Sequence, residues 1–213
     1  IPLCTPANCF TLKAKIPDIH IQSGSYTVNP IGETPSGCFP VYVQPNDPGG
    51  TSANLLIDDF YSAAFNISFP FPFYGVTYNN LIVSPNGVVS FDASNAGTQT
   101  HFGILRDFFG LSALSGTPEN LPSTLYDRAL IMGPYHDLNP EEPTSPNRRI
   151  QYQAIGMAPH RKWIVSFFEM PLYYNNGGCN LLIENTHQVV LYESTGIIEV
   201  LVFSKLPCTA WND

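Results

Sequence analysis

The segment Phe65-Asn66-Ile67-Ser68-Phe69-Pro70-Phe71-Pro72-Phe73 constrains the fold more than any other stretch of the chain. A large apolar residue occupies every second position. Side chains on a strand point to alternate faces, so this period puts five apolar groups on one side. A helix would scatter the same residues around its circumference. The prolines add a second constraint. Pro70 and Pro72 have no N–H to give to a ladder, so the strand belongs at a sheet edge or is unpaired where they stand. A sheet face of this apolarity must be covered by another layer.

Strand signals recur along the rest of the chain. Residues 10–16 alternate apolar with polar and stop at Pro17, and residues 25–28 and 41–44 are further short candidates. Residues 81–84 and 88–91 flank Pro85-Asn86-Gly87, and Asn-Gly between two apolar runs is a hairpin signal. Residues 129–132, 149–155, 162–168, 187–192 and 197–203 complete the set, with Glu193-Ser194-Thr195-Gly196 as a hairpin-length turn between the last two. Residues 104–114 and 121–130 are expected to hold short helices, limited by Pro118 and Pro122, in an insertion crossing between sheets. These spacings predict an all-β fold: an antiparallel two-sheet β-sandwich with a short amino-terminal arm and minor helical insertions. The arm spans residues 1–50 and the sandwich 51–213, as one structural unit. No internal repeat points to a propeller or solenoid.

Charge and cysteine content restrict the function. Only 12% of residues are charged, and 9 basic against 17 acidic residues leave a net charge of −8. Nucleic-acid binding calls for a basic footprint, and docking to anionic lipid is disfavoured in the same way. An acidic exported protein or a cation binder is compatible with this balance. No apolar run reaches the length of a membrane-spanning helix. The chain opens on Ile1 without a Met, which reads as a mature or trimmed product. Cys4, Cys9, Cys38, Cys179 and Cys208 form no C-x-x-C pair, which argues against a zinc knuckle. Their wide spacing and the scarcity of lysine suit an oxidising compartment. The odd number leaves at least one thiol free, intermolecular or paired outside this sequence. One bridge is expected among Cys4, Cys9 and Cys38, either Cys4–Cys9 or Cys9–Cys38.

Two groups of residues suggest a site. Asp58-Asp59 and the run from His136 to Glu142 are the dense acidic segments. Hard oxygen donors of this kind suit Ca²⁺, with Asp58, Asp59, Asp137 and Asn139 as candidate ligands. The spacing is not that of an EF-hand, and a solvated acidic loop with Asx turns is the plainer alternative. Tyr173-Tyr174-Asn175-Asn176, followed by Gly177-Gly178, is an aromatic–amide loop of the composition used for adaptable recognition of sugars or apolar patches. Ordinary turn chemistry also accounts for it. His136-Asp137 beside a serine resembles part of a hydrolase triad, but no G-x-S-x-G elbow accompanies it. No pair of glutamates is aligned for glycoside hydrolysis, so no catalytic residue is expected. Asn66-Ile67-Ser68 is a glycosylation sequon on the polar face of the Phe strand.

The run Phe69 to Tyr78, followed by Val83-Ser84-Pro85-Asn86-Gly87-Val88-Val89-Ser90-Phe91, is similar to the pattern of nidogen-like extracellular domains. Asp58-Asp59-Phe60-Tyr61-Ser62, Gly133-Pro134-Tyr135-His136-Asp137-Leu138, Gln188 to Val200, and Leu206 to Asn212 extend the likeness. In that longer set the chain resembles large adhesin-like surface proteins of Bacteroidetes linked to gliding and type IX secretion. Pro207, standing before Cys208, departs from their pattern. The resemblance covers roughly residues 53–213 and implies a non-catalytic, extracellular module of the cell surface, acting in adhesion or surface assembly and belonging to a longer chain. It also pairs Cys179 with Cys208, a bridge of about 3 kcal/mol in the chain-entropy account. The implied partners are other surface proteins or glycans, with no cofactor beyond the Ca²⁺ considered above; low charge, Pro-rich edges and the odd cysteine add self-association through sheet edges. A carbohydrate-binding module and a structural subunit of a surface filament or layer are the alternative readings.

Overall fold

The computed structural model of the protein describes residues 2–5, 8–11, 49–102, 126–173 and 183–206. It is an all-β fold of two antiparallel sheets packed face to face, with a separate amino-terminal hairpin of β1 (Pro2–Thr5) and β2 (Asn8–Thr11). The remaining strands are β3 (Thr51–Ser52), β4 (Phe65–Phe73), β5 (Val76–Ser84), β6 (Val88–Ser90), β7 (Leu130–Met132), β8 (Arg149–Ile155), β9 (Lys162–Pro171), β10 (Glu184–Tyr192) and β11 (Ile198–Ser204). One sheet has the order β11-β10-β9-β8-β3 and the other β4-β5-β6-β7. Among the described residues the helical content is one 3₁₀ turn, Ala93–Asn95, and no helix is long and apolar enough to cross a membrane.

Strand β4 behaves as its period dictates. Phe65, Ile67, Phe69, Phe71 and Phe73 are all buried and alternate with exposed or half-exposed neighbours. They meet Leu81, Val83, Val89 and Phe91 of their own sheet, and Ile150, Trp163, Val165, Phe167, Val189 and Leu191 of the other. Phe91 is a centre of this core, with ring centroids 5.6 Å from Phe71, 4.8 Å from Phe73 and 5.0 Å from Tyr78. Phe65 crosses to the opposite sheet and stacks on Tyr152 at 4.2 Å. Full burial of one such side chain is worth about 1.5–3 kcal/mol, so this face alone accounts for much of the attraction between the layers.

The prolines also act as expected. β4 lies at an edge, and its ladder with β5 breaks between Asn66 and Phe71. Within the break Ser68 takes a positive φ of 72°, and its N–H bonds to Asn66 Oδ1 at 2.7 Å. The Ser68 carbonyl turns outward and accepts a bond from Arg161. Arg161 also grips both oxygens of Glu193, at 2.8 and 2.5 Å. One guanidinium thus ties the β4 bulge to the β8–β9 and β10–β11 connections.

Several boundaries differ from the sequence-based expectation. β5 begins at Val76, directly after the Tyr74-Gly75 turn, rather than at Leu81. β9 and β10 are longer than expected, and β3 was not expected. The helix expected over residues 121–130 is not formed over 126–130: residues 126–129 are irregular and Leu130 opens β7, paired with Ser90 of β6. The strand expected over 129–132 is formed as β7, and its pairing with β6 prevails over the local helical tendency. Residues 104–114 and 121–125, and the strands expected within residues 12–48, lie outside the described residues.

Candidate functional site

The best-connected loop cluster gathers on the β5–β6 turn. Gly87 has a φ of +81°, as a tight turn at Asn-Gly requires. A Cβ there would stand 3.1 Å from the Pro134 carbonyl oxygen and 3.2 Å from His187 Nε2, so the position is closed to a side chain on two counts. Asn86 beside it is fully buried. Its Nδ2 donates to Asp59 Oδ1 at 2.8 Å and to the His101 carbonyl at 3.1 Å, while its Oδ1 accepts the Leu138 N–H at 2.8 Å. One side chain therefore fastens three segments, at Asp58-Asp59, at His101 and at residues 133–139.

Each segment has its own anchorage. The first is laid against the end of β5 by Ser62, whose N–H bonds to the Val83 carbonyl and whose Oγ accepts the Val83 N–H. Tyr61 Oη donates to Asp127 Oδ2 at 2.8 Å, and Thr100 N–H bonds to the Asp59 carbonyl at 2.7 Å. The third runs beside the turn through Gly133 N–H to the Gly87 carbonyl and His136 N–H to the Asn86 carbonyl. It is continued by a bridge between Leu138 and Leu172.

This convergence brings Asp58, Asp59 and Asp137 together, with one carboxylate oxygen from each within 4.8 Å of the others. Asp58 Oδ1 is buried without a hydrogen-bond partner. Burial, and after it the charges of Asp59, Glu141 and Glu142, push the Asp58 carboxyl up to about 7. Asp59 is raised by burial and held back by its bond from Asn86 and by His101. The donor set is hard oxygen throughout, which fits Ca²⁺ and not a thiophilic metal. Asn139 is buried beside the cluster, but its Oδ1 already accepts the Glu141 N–H at 2.7 Å in an Asx turn.

Of the aromatic–amide loop, Tyr173 is described. It is 37% exposed, and its N–H bonds to the Asp137 carbonyl at 3.1 Å. The loop predicted to recognise ligand thus starts against the acidic cluster. Tyr174, Asn175 and Asn176 lie outside the described residues, as do Cys38, Cys179 and Cys208. Cys4 and Cys9 stand opposite each other in the register of β1 and β2.

The histidines complete the surroundings: His136, singled out in the sequence beside Asp137, is joined here by His101 and His187. His101 lies edge-on to Tyr126 at 5.1 Å; burial lowers its pKa against the pull of Asp127 and Asp59. His136 Nδ1 donates to the Pro134 carbonyl at 2.6 Å; burial, aided by Lys205, takes its pKa down to about 4. His187 is sealed on β10 and stacks on Phe167 at 4.4 Å. Burial, then His136 and Lys205, lower it to about 3. Both rings are neutral at physiological pH and serve here as packing.

The family described as NIDO related matches this chain over residues 40–210. No curated protein and no solved structure matches it.

Proposed function

The chain belongs to the NIDO-related family, which points to an extracellular, adhesion-type domain, and from that premise we propose a non-catalytic exported module of the cell surface, acting in adhesion or surface assembly. The observation that carries this reading is the family match over most of the chain. The sandwich supports it physically: a rigid two-sheet core holds loops at one end, and recognition by such domains resides in loops on a rigid scaffold. The motifs that carry the resemblance to adhesin-like surface proteins of Bacteroidetes lie together, since Asp58-Asp59 and residues 133–138 both bond to Asn86 in the Asn86-Gly87 turn. A gliding-adhesin-like role, with other surface proteins or glycans as partners, is the finer form of the proposal. A bound Ca²⁺ at Asp58, Asp59 and Asp137 would rigidify this loop end, and the 4.8 Å grouping of the three carboxylates favours it. Glycan recognition rests on Tyr173, half-exposed next to that cluster.

Antibody against the recombinant domain, applied to intact and to permeabilised cells of the source organism, tests the location. Labelling of intact cells, together with loss of surface attachment on deleting the domain, is the expected result. Labelling that requires permeabilisation would sink the proposal.

A further inference from the structure

β1 and β2 pair with each other and, among the described residues, with no other strand. A lone two-stranded ribbon with four residues a side is marginal in water, so this hairpin calls for a second tie. Its register is Pro2↔Thr11, Leu3↔Phe10, Cys4↔Cys9 and Thr5↔Asn8. Two of the chain's five cysteines thus stand opposite each other.

Pro2 fixes the phase of this ladder. Hydrogen-bonded and non-hydrogen-bonded pairs alternate along antiparallel strands. A hydrogen-bonded pair takes an N–H from both residues, and Pro2 has none, so Pro2–Thr11 is a non-hydrogen-bonded pair. Cys4–Cys9, two steps on, has the same phase. The connection agrees. Two residues, Pro6 and Ala7, join the strands, and a link of that length is flanked by a hydrogen-bonded pair, here Thr5–Asn8. Non-hydrogen-bonded pairs have Cα atoms about 4.5 Å apart and bring opposed side chains closest. A disulfide spans about 4.4–6.8 Å between Cα atoms and needs its Cβ atoms within about 4.5 Å of each other. Cys4 and Cys9 therefore occupy the class of ladder position suited to a bond.

We infer that Cys4 and Cys9 form a disulfide across the β1–β2 hairpin, which leaves Cys38 outside the bridge. Loop closure favours the same choice. Cys4 to Cys9 closes six residues and Cys9 to Cys38 closes thirty, which makes the longer loop about tenfold harder to form by the three-halves-power law. The bond is made by exchange. One thiolate attacks a donor disulfide, small or protein-borne, and releases one donor thiol. The second thiolate attacks the mixed disulfide, closes Cys4–Cys9 and releases the other, so two electrons and two protons pass to the donor. The inference stands apart from the location proposed above, because it rests on the register and its test supplies the oxidant.

The reduced 213-residue chain, incubated without denaturant in oxidised and reduced glutathione and trapped with N-ethylmaleimide, reads the pairing by tryptic mass mapping. Cleavage after Lys13, Lys15 and Arg106 puts Cys4 and Cys9 together in peptide 1–13 and Cys38 in peptide 16–106. Peptide 1–13 is expected alone, unalkylated and two hydrogens lighter than its reduced form, and it takes two alkyl groups after reduction. Concentrated urea melts the ladder but keeps the nearness in sequence, and should lower the equilibrium constant for closing the bond against glutathione at least about threefold. Peptide 1–13 linked to peptide 16–106 until reduction overturns the inference, and so does peptide 1–13 alkylated at both cysteines beforehand. A constant unchanged by urea overturns it as well, since nearness and not the register would then close the bond.

Discussion

Asn86 holds more of the loop end together than any charged residue near it. Its amide makes bonds to Asp59, to the His101 carbonyl and to Leu138 N–H, all away from bulk water. Asn86→Ala removes all three and leaves a buried N–H and a half-buried carboxylate without partners. Each such loss costs about 1–3 kcal/mol, so a drop on the order of 3 kcal/mol in urea unfolding is expected; a loss below about 1 kcal/mol would show that the loops are held elsewhere. Asp58 carries the second expectation. With its pKa near 7, it is largely ionised at pH 8 beside Asp59, where a divalent cation offsets the repulsion. Ca²⁺ should therefore raise the melting temperature more at pH 8 than at pH 6, and Asp58→Asn should abolish the response. Identical melting in Ca²⁺ and in chelator at pH 8 would end the cation reading. The sequence made the acidic residues visible as Asp58-Asp59 and the run after His136, because composition is local. It could not show that they meet, since the amide that gathers them bonds to residues 27 and 52 positions away. Asn86 itself was legible as a turn former, through the Asn-Gly pair, and not as the hub.

β4 shows why the strands were legible and their ends were not. Its alternation is a statement about one element, and burial follows it residue by residue. Where length depends on a partner, the pattern runs out. The first half of β5, Val76 to Asn80, is mostly exposed, so apolar spacing does not mark it, yet it pairs with β4 through Val76↔Phe73 and Tyr78↔Phe71. The two faces of the β4–β5 ladder should respond unequally to substitution. Phe71 is fully buried against Phe91, and Phe71→Ala should cost about 3–5 kcal/mol from lost transfer energy and the cavity left behind. Thr77, exposed on β5 opposite Pro72, should tolerate Ala within about 0.5 kcal/mol. Equal losses at the two sites, measured by chemical denaturation, would contradict the face assignment.

At the scale of the whole molecule, one buried and one half-buried histidine and one raised aspartate give stability a direction in pH. His136 and His187 titrate near 4 and 3 in the folded chain against 6.5 when unfolded. Below 6.5 the unfolded state binds more protons, so their contribution is fully present above 6.5 and is lost as pH falls toward 3–4. Asp58 runs the other way. Its folded pKa of about 7 lies above the unfolded 3.8, so stability from its neutral form is present below 3.8 and lost as pH rises to 7. Between pH 4 and 6.5 the slopes oppose, and the histidines dominate because His187 is sealed while Asp58 is half-buried. Stability should thus peak near neutrality and fall on the acid side by on the order of 3–5 kcal/mol by pH 4. His187→Phe, keeping a ring on Phe167, should flatten that acid limb, whereas Asp58→Asn removes the opposing slope between pH 3.8 and 7 and should steepen it. Urea midpoints at half-unit steps from pH 4 to 8 separate the three curves. A wild-type midpoint level from pH 4.5 to 7, or a His187→Phe limb as steep as the wild type's, would place the acid sensitivity on other groups. The same sealed ring fixes Gly87 from behind, so acid should loosen the Asn86 turn and the Asp58, Asp59 and Asp137 cluster before it separates the sheets, and amide exchange at Leu138 and Gly87 should rise first.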